Sequence, residues 1–471
     1  MILPTTIVDQ IKRHHSVVFR RVLMKRRLLS TGVYESEWFD ITSDVKKFGS
    51  IKYEADSKYL GRFRLPTANI TVVNDRGQFN QEDSIFSYWF GYLARTRTLI
   101  RIEAGFIEDV DNGDGTFARI EHPSVALFDE AYYDAAFFDN DSGAAVFTGY
   151  IGGDIITNDN NEVVLQVKSL AEAFREYSAK NLTGYNNSLT ASDFITLVRD
   201  HVDGAGSSVF LQFFGGTTTG FSIASTAVEY SNLNTSTAAD VIDATVWGII
   251  EKLSEAENHL PITTADGRFR FVPRSSNTTT AAFVFNGLGV YDFEYGNTIK
   301  KLNFIGPRMS KFYTRVEVKH TDADTSTSYE IVESTLTVSP PSASWQYGQR
   351  TFKIENTWIP SAAVASSIAT SIFNDYSALK REIDFTTTFV PGLDLLDQIT
   401  VSYDVSRFVS NYNLWDIGEW ADTAGAAASA QDLEFDPRDG DSIYLSAEEF
   451  NLISIEMNLD NLECKFIARE T

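Results

Sequence analysis

A mainly β fold, interrupted by a mixed α+β middle region, is what this 471-residue sequence predicts. Three observations carry that expectation. Phe (34) and Tyr (20) are plentiful beside many Thr and Val, residue types that fit a pleated, half-buried surface. Helical spacing begins after Lys168, and strand-like alternation dominates again in the last third. The chain also carries a faint echo of itself. Leu127-Phe128-Asp129-Glu130-Ala131-Tyr132-Tyr133 aligns with Leu414-Trp415-Asp416-Ile417-Gly418-Glu419-Trp420. The first is followed by strand-like runs at 146–151 and 163–167, the second by runs at 453–457 and 462–467. Duplication of one β unit is the favoured reading; chance recurrence of acid–aromatic stretches is the alternative. Two copies of one interface in a chain allow a six-fold ring to close from three subunits.

Residues 1–168 read as one β domain. Trp38-Phe39-Asp40-Ile41-Thr42 to Val45, then 51–55 and 68–73, alternate as strands, and Asn74-Asp75-Arg76-Gly77-Gln78-Phe79 supplies a turn. Residues 99–104 form another strand, 111–115 another turn, and 84–93 at most a short helix. Ahead of these lies a basic stretch, Lys12, Arg13, Arg20, Arg21, Lys25, Arg26 and Arg27, interleaved with Val and Leu. A nuclear-localisation or nucleic-acid reading competes here with a folded helix-then-strand element whose basic face meets an acidic neighbour. The second is favoured, since charge complementarity of that kind fixes register and partner choice.

Residues 169–300 read as a mixed α+β middle domain. Helical spacing over 169–177 places Leu170, Ala173, Phe174 and Tyr177 on one face. Ser192 or Asp193 caps a second helix ended by Gly204, and residues 203–236, rich in Gly, Ser and Thr, suggest an exposed excursion. A third helix starts near Thr237 and turns Val241, Ile242, Val246, Ile249 and Leu253 toward a core. Leu260 to Thr263, the turn Asp266-Gly267 and Arg268-Phe269-Arg270-Phe271-Val272 form a hairpin.

Residues 301–471 return to strands at 314–320, 329–332 and 351–355. Pro360 and Ser361 then open a helix with Val364, Ile368, Ile372 and Tyr376 spaced by four. Strands resume at 383–389 and 397–401, and an acidic, Ala/Ser-rich stretch near 409–442 reads as an insertion before the closing strands.

Composition limits the function classes. A net charge of -24 opposes a general phosphate-binding surface, because sequence-independent nucleic-acid affinity comes from Lys and Arg. The single cysteine, Cys464, forms no internal disulfide and reads as a small core hydrophobe. No run reaches the roughly 18 apolar residues of a membrane span, and the start lacks the apolar core of a signal peptide, so a soluble, cytoplasmically made chain is expected. The six histidines are scattered without metal-ligand spacing, and no phosphate-cradling Gly-rich loop or Ser nucleophile elbow is present. Asp129, Glu130, Asp134, Asp416 and Glu419 lie among aromatics and raise glycoside cleavage by paired carboxylates as an alternative. Asp109, Asp111 and Asp114 resemble a calcium loop, but Gly113 breaks the oxygen pattern and a hairpin turn is favoured. Neither catalysis nor a cofactor or metal is expected.

Taken in order, Trp38-Phe39-Asp40-Ile41-Thr42, the strand ending in Asn74-Asp75-Arg76-Gly77-Gln78-Phe79, and Val146-Phe147-Thr148-Gly149-Tyr150-Ile151 resemble the opening β-barrel of tailed-bacteriophage baseplate hub and tail-tip proteins. The hairpin Asp266-Gly267-Arg268-Phe269-Arg270-Phe271 is similar to their central region. The helix from Ser361 before Gly392-Leu393-Asp394-Leu395-Leu396-Asp397-Gln398-Ile399-Thr400-Val401 resembles the segment entering their second barrel. The matches span most of the chain, each as a diffuse pattern. The resemblance implies two similar tube-type β-barrel domains flanking a mixed domain, in a homotrimer whose six barrels form a pseudo-six-fold ring. Such a ring joins the tail tube or distal tail protein to a central spike or fibre protein and surrounds a channel through which DNA passes without specific binding. The expected location is the virion, after assembly in the host cytoplasm. Candidate subunit contacts are Arg20, Arg21, Lys25, Arg26, Arg27, Phe128, Tyr133, Trp415 and Trp420. No peptidase, lysozyme or fibre-like extension is evident, so wall degradation and receptor binding are not implied. A hexameric distal tail or tube protein, and a carbohydrate-binding or glycoside-cleaving β protein, are the alternatives.

Overall fold

The computed structural model of the chain describes residues 17–470 apart from 56–62, 81–84, 94–96, 108, 112–116, 120–141, 153–155, 159–160, 183–187, 203–209, 212, 215–217, 231–232, 234–243, 275–280, 289–297, 308–310, 322–326, 334–347, 357, 378–379 and 405–443. The echoed segments 127–133 and 414–420 fall outside the described residues, as do Lys12 and Arg13.

Strand alternation in the first third builds one curled sheet. Its strands are β1 (Val17–Lys25), β2 (Val45–Lys47), β4 (Thr67–Val73), β5 (Leu99–Ile107), β6 (Ser142–Ile151) and β7 (Glu162–Ser169), with β3 (Ser50–Ala55) leaving it. The sheet order is β1-β5-β6-β7-β4-β2, every neighbour antiparallel. Ala68, Ile70 and Val72 of β4 lie directly beside Val167, Leu165 and Val163 of the adjacent β7, all six buried on one face, the period-2 pattern of a half-buried strand. The two ends of the sheet meet where Ile41 N donates to Val22 O (2.9 Å) and Val22 N to Thr42 Oγ1 (2.9 Å).

The middle unit carries α1 (Ala191–Asp200), β8 (Phe221–Ile223), α2 (Val246–Glu257), β9 (His259–Thr263) and β10 (Phe269–Pro273), with β10 between β8 and β9. The cap of α1 is Thr190, whose hydroxyl accepts from Asp193 N, not Ser192 or Asp193, and the helix ends at Asp200 before the expected Gly204. Helix α2 starts at Val246 behind a Thr245 cap rather than near Thr237, and Val246, Ile249 and Leu253 are buried as the spacing requires. Residues 169–177 contribute only a five-residue helix, Glu172–Glu176. The described residues of the polar excursion reach the core. Phe210, Phe213 and Phe214 are buried, and Phe174 packs on Phe214 (5.5 Å), Phe210 (4.8 Å) and Phe269 (5.4 Å). Each such aromatic pair contributes roughly 0.5–1.5 kcal/mol beyond burial; Gly, Ser and Thr around them masked the cluster in sequence.

The last third holds two layers. Strands β11 (Phe283–Leu288), β12 (Ile299–Pro307), β16 (Arg381–Thr388), β17 (Gln398–Asp404), β18 (Tyr444–Asn458) and β19 (Glu463–Glu470) form the second curled sheet in the order β11-β17-β18-β19-β16-β12. Inserted after β12 are β13 (Arg315–Thr321), β14 (Thr327–Glu333) and β15 (Thr351–Ile354), a separate sheet covered by α3 (Ala362–Tyr376). The boundary read at 300 therefore shifts. Residues 283–288 already belong to the second barrel-type sheet, whereas 315–376 form the inserted layer. Alternation marks a strand as half-buried and does not say in which sheet. The turns at 85–93 replace the expected short helix.

The first curled sheet also takes in Phe39–Asp40, paired with β1, and Ile156–Asn158, paired with β7; with these two set aside, its six remaining strands and β11, β12 and β16–β19 of the second occupy the same places counted along the chain: first, fourth, fifth, sixth, third, second. The runs that follow the two echoes, β6 with β7 and β18 with β19, sit at equivalent positions. One pairing differs: β1 is antiparallel to β5, β11 parallel to β17. The second sheet also meets itself, with Thr298 N donating to Asn286 O at 2.8 Å.

Strand β3 ties the barrels together. The sequence reading gave 51–55 to the first domain, but β3 pairs antiparallel with residues 454–458 of β18, while β17 covers residues 444–451 of the same edge. The crossing is made at Gly49 (φ +72°), with Asp460 accepting from Phe48 N (2.9 Å) and Gly49 N (3.1 Å), and Gly49 O accepting from Leu459 N (3.1 Å). From β3, Tyr53 reaches back to donate to Val146 O of the first barrel at 2.9 Å.

The β9–β10 hairpin tip forms a second junction. Thr148 Oγ1 of the first barrel donates to Ala265 O (3.0 Å), and Ala265 N donates to Asp394 Oδ1 ahead of β17 (3.4 Å). Burial, then the nearby Asp397 and Asp266, push the Asp394 carboxyl from 3.8 up to about 6, against the pull of Ala265 N–H and Arg270.

Two outcomes follow from these junctions. Gly49→Ala places a Cβ 2.5 Å from Asn69 O at positive φ and is expected to cost more than about 2 kcal/mol in denaturant unfolding. Gly91→Ala, also at positive φ but with no atom near its Cβ, should cost only about 1 kcal/mol. Because the folded state holds the Asp394 proton more tightly than the unfolded chain does, its contribution to stability rises as pH falls from about 7 through 6 toward 4, by up to about 3 kcal/mol. Asp394→Asn should raise stability near neutral pH and flatten that part of the pH profile; an unchanged profile would show that the burial of this charge is not what the junction bears.

Candidate functional site

The basic strand that the sequence singled out runs along one wall of the first barrel, and its cations are engaged within the chain. Arg20 donates to Leu459 O (2.6 Å) and lies 4.7 Å from the centre of the Phe48 ring, so it helps fasten the second barrel. Arg21 pairs with Asp40 (3.3 Å), and Lys25 sits over Trp38 (5.6 Å). Burial holds the Lys25 ammonium below its ordinary pKa, and Glu35 only partly restores it.

Arg26 organises this end of the barrel. Its fork meets the Glu35 carboxylate with two hydrogen bonds (2.9 and 2.7 Å), Nη1 donates to Tyr88 O (2.8 Å), and the guanidinium lies over Tyr92 (4.0 Å). Bidentate pairing of this kind fixes orientation as well as energy. Burial raises the Glu35 carboxyl, but the hydrogen bonds from Arg26 outweigh it and hold the group below its usual range. Arg27 accepts from Leu93 N through its carbonyl (2.9 Å) and bridges to Tyr34, leaving its buried Nε without a hydrogen-bond partner.

Those contacts clamp two loops side by side, residues 26–38 and 85–93, with a backbone bridge between Leu28 and Tyr92. Their outer surface is apolar: Leu29 is 61% exposed, Ile85 and Phe86 each 69%, Phe90 51% and Val33 49%. These five large apolar side chains are exposed on the two clamped loops, whereas Phe79 and Trp89 of the same region are fully buried. Sequence reasoning named the cations and missed this rim. The signal was Ser84-Ile85-Phe86-Ser87, an apolar pair in a segment read as a short helix. Of the other candidates, Phe128, Tyr133, Trp415 and Trp420 lie outside the described residues, together with the acid–aromatic carboxylates.

Below the clamp lies a cavity of about 480 Å³ between the first barrel and the middle unit, bordered by Trp38, Arg101, Thr148, Phe213, Asp266 and Arg268. Its charges are paired: Arg101 with Glu103 (3.0 Å) and Arg268 with Asp266 (2.9 Å). Among the described residues no group of three or more His, Cys, Asp or Glu is placed to hold a metal ion. Cys464 is buried in β19, and burial pushes its thiol up to about 12, which keeps it protonated and unreactive. Asp109–Asp111 and Phe117–Arg119 pair antiparallel; the turn expected between them lies outside the described residues. No described helix is long and apolar enough to cross a membrane.

No family model matches the chain, and no curated protein does. Solved structures of similar architecture do exist, and phage tail proteins are among them. A tail protein from Neisseria meningitidis MC58 aligns over 96% of both chains at 9% identity and a TM-score of 0.49. The 43 kDa tail protein of prophage MuSo2 from Shewanella oneidensis aligns over 96% of this chain and 98% of its own, at 10% identity and a TM-score of 0.44. A prophage tail protein from Listeria monocytogenes EGD-e aligns over 96% and 94%, at 8% identity and a TM-score of 0.42.

Proposed function

We propose that the chain is a structural, non-catalytic hub of a bacteriophage tail tip or baseplate. Three copies place six barrels around one axis, joining the tail tube or distal tail ring to a central spike or fibre and enclosing the DNA channel. The observation that carries this reading is the same six-strand order built twice in one polypeptide and locked by β3. A chain that repeats one wall supplies two ring positions, so closure at six walls needs three chains. A hexameric ring of single-barrel subunits needs no second barrel, which disfavours the distal-ring alternative.

Two features support the reading at the level of surfaces. The apolar rim of residues 28–33 and 85–90 offers the desolvated centre that a subunit contact requires, with paired charges around it. The net charge of -24 suits a lumen that repels phosphates and lets DNA slide.

Native mass spectrometry of the purified chain is expected to give a trimer, and negative-stain images a ring. Replacing Leu29 and Phe86 together by Asp should convert the trimer to monomer without loss of the folded signal. A hexamer from the wild-type chain would favour the distal-ring reading; a monomer at micromolar concentration that binds no tail component would remove the hub.

A further inference from the structure

The cavity of about 480 Å³ between the first barrel and the middle unit has one aromatic side, made by Tyr34, Trp38 and Phe213, with Tyr34 edge-on to Phe213 (6.3 Å). Three cations border that side. Lys25 lines the cavity over Trp38 (5.6 Å), Arg97 lies over Phe213 (5.7 Å), and the fields of Arg27 and Arg97 both reach the Tyr34 hydroxyl, which donates to Arg97 O (2.7 Å). Arg101 and Arg268 have carboxylates of their own, and Glu35 is taken by Arg26 (2.7 Å). Lys25, Arg27 and Arg97 make no ion pair among the described residues. In a chain of net charge -24 such a group runs against the composition, and its positive potential selects an acidic partner.

The mouth says what kind of partner. Val33 lines the cavity and is itself half exposed, so the cavity opens on the loop 26–38, which is clamped to the loop carrying the exposed Ile85, Phe86 and Phe90. A recess beside exposed apolar side chains suits an anchor from another polypeptide, since the surround excludes water once the anchor is seated. Its volume falls within the roughly 300–1,000 Å³ of ligand sites, enough for an aromatic anchor. A small anion would leave the apolar mouth uncovered. A strand of phosphates would also face Glu35, Glu103 and Asp266.

The subunit-ring reading makes the neighbour on these loops another copy of this chain, and the identity of the occupant rests on that reading. Between Arg407 and Arg438 the sequence holds no Lys or Arg, and residues 411–422 set Tyr412, Trp415 and Trp420 among Asp416, Glu419 and Asp422. The tether is long enough. Strand β17 ends at Asp404, and an extended chain from there covers about 33–36 Å by Leu414. The nine residues of β5 rise only about 30 Å, so the segment can run the height of a barrel wall.

We propose that this cavity is the anchor pocket for the acid–aromatic segment 411–422 of a neighbouring copy, with Lys25, Arg27 and Arg97 meeting its carboxylates and one of its tryptophans filling the aromatic recess.

The full chain carrying Trp415→Ser and Trp420→Ser leaves the pocket free, and a fluorescein-labelled peptide of residues 411–422 then reads it by fluorescence anisotropy. Saturable micromolar binding is expected, weakened about tenfold or more by Lys25→Glu, and as much by Asp416→Lys with Glu419→Lys in the peptide. If Lys25→Glu fails to fold, Arg97→Glu, at an exposed position, decides instead. Unlabelled poly-dT should not displace the peptide. Displacement would mean a phosphate-backbone site and overturn the proposal, as would no binding, or binding indifferent to the cation variants. Mixing the doubly substituted chain with the Lys25→Glu chain should give a heterodimer in native mass spectrometry that neither forms alone, because one intact pocket then meets one intact segment. A mixture that stays unpaired while the peptide binds assigns the segment to its own chain's pocket and overturns the neighbour. A wild-type trimer whose pocket takes no peptide sinks this inference and leaves the hub standing; a wild-type monomer that binds the peptide removes the hub and keeps the pocket.

Discussion

The pairing of Ser50–Ala55 with the far half of β18 is the constraint on which the rest of the molecule is arranged. Strand β18 spans fifteen residues, and its two halves need different neighbours along one edge: β17 for the first half, β3 for the second. Remove β3 and five residues of β18 lose their ladder partners on that edge, a row of exposed backbone groups that invites wrong pairing. Because β3 is bracketed in sequence by β2 and β4, which both stay in the first sheet, satisfying those groups fixes the first barrel against the second. Asp460 at the crossing and Arg20 on Leu459 O then hold the entry point with polar contacts that only this relative placement satisfies.

That placement explains the burial of polar groups between the units. The β9–β10 tip is wedged between Thr148 and Asp394, and its Gly267 stands where a Cβ would lie 2.9 Å from Thr148 side-chain atoms. A hinge at this position would open buried hydrogen bonds on both sides. Contacts of this kind tie the three units to one another through backbone pairing and buried hydrogen bonds.

Much of this was legible in the sequence where a local rule decides the outcome. Ser361 caps α3 and Ile368, Ile372 and Tyr376 are buried, as spacing by four requires; Asp266-Gly267 turns a hairpin, with Gly267 at φ +85°. The strand-like runs after each echo fall at matching places in the two sheets, while the echoed segments themselves lie outside the described residues. What local rules could not supply was partnership. Residues 51–55 and 315–320 alternate as cleanly as any true wall of their neighbourhood, yet the first joins a strand about four hundred residues away and the second leaves the barrel for a sheet under α3. Sheet membership is decided by which edge is left unpaired, and that is a property of the whole chain. The loop site was half legible: charge drew attention to Arg26, whereas its role as a clamp depends on Glu35, Tyr88 and Tyr92, which sequence spacing does not connect.

The single break in the repeat has a consequence for how such an assembly is read from outside. Strand β1 runs against β5, whereas β11 runs with β17, so the chain enters the two barrels from opposite ends. In the proposed ring of three chains, a side view would present six similar walls, while from either rim the entering segments would mark every second barrel. A partner gripping the walls of that ring would meet hexagonal order and one gripping its rim a triangle, with a single strand reversal translating one symmetry into the other.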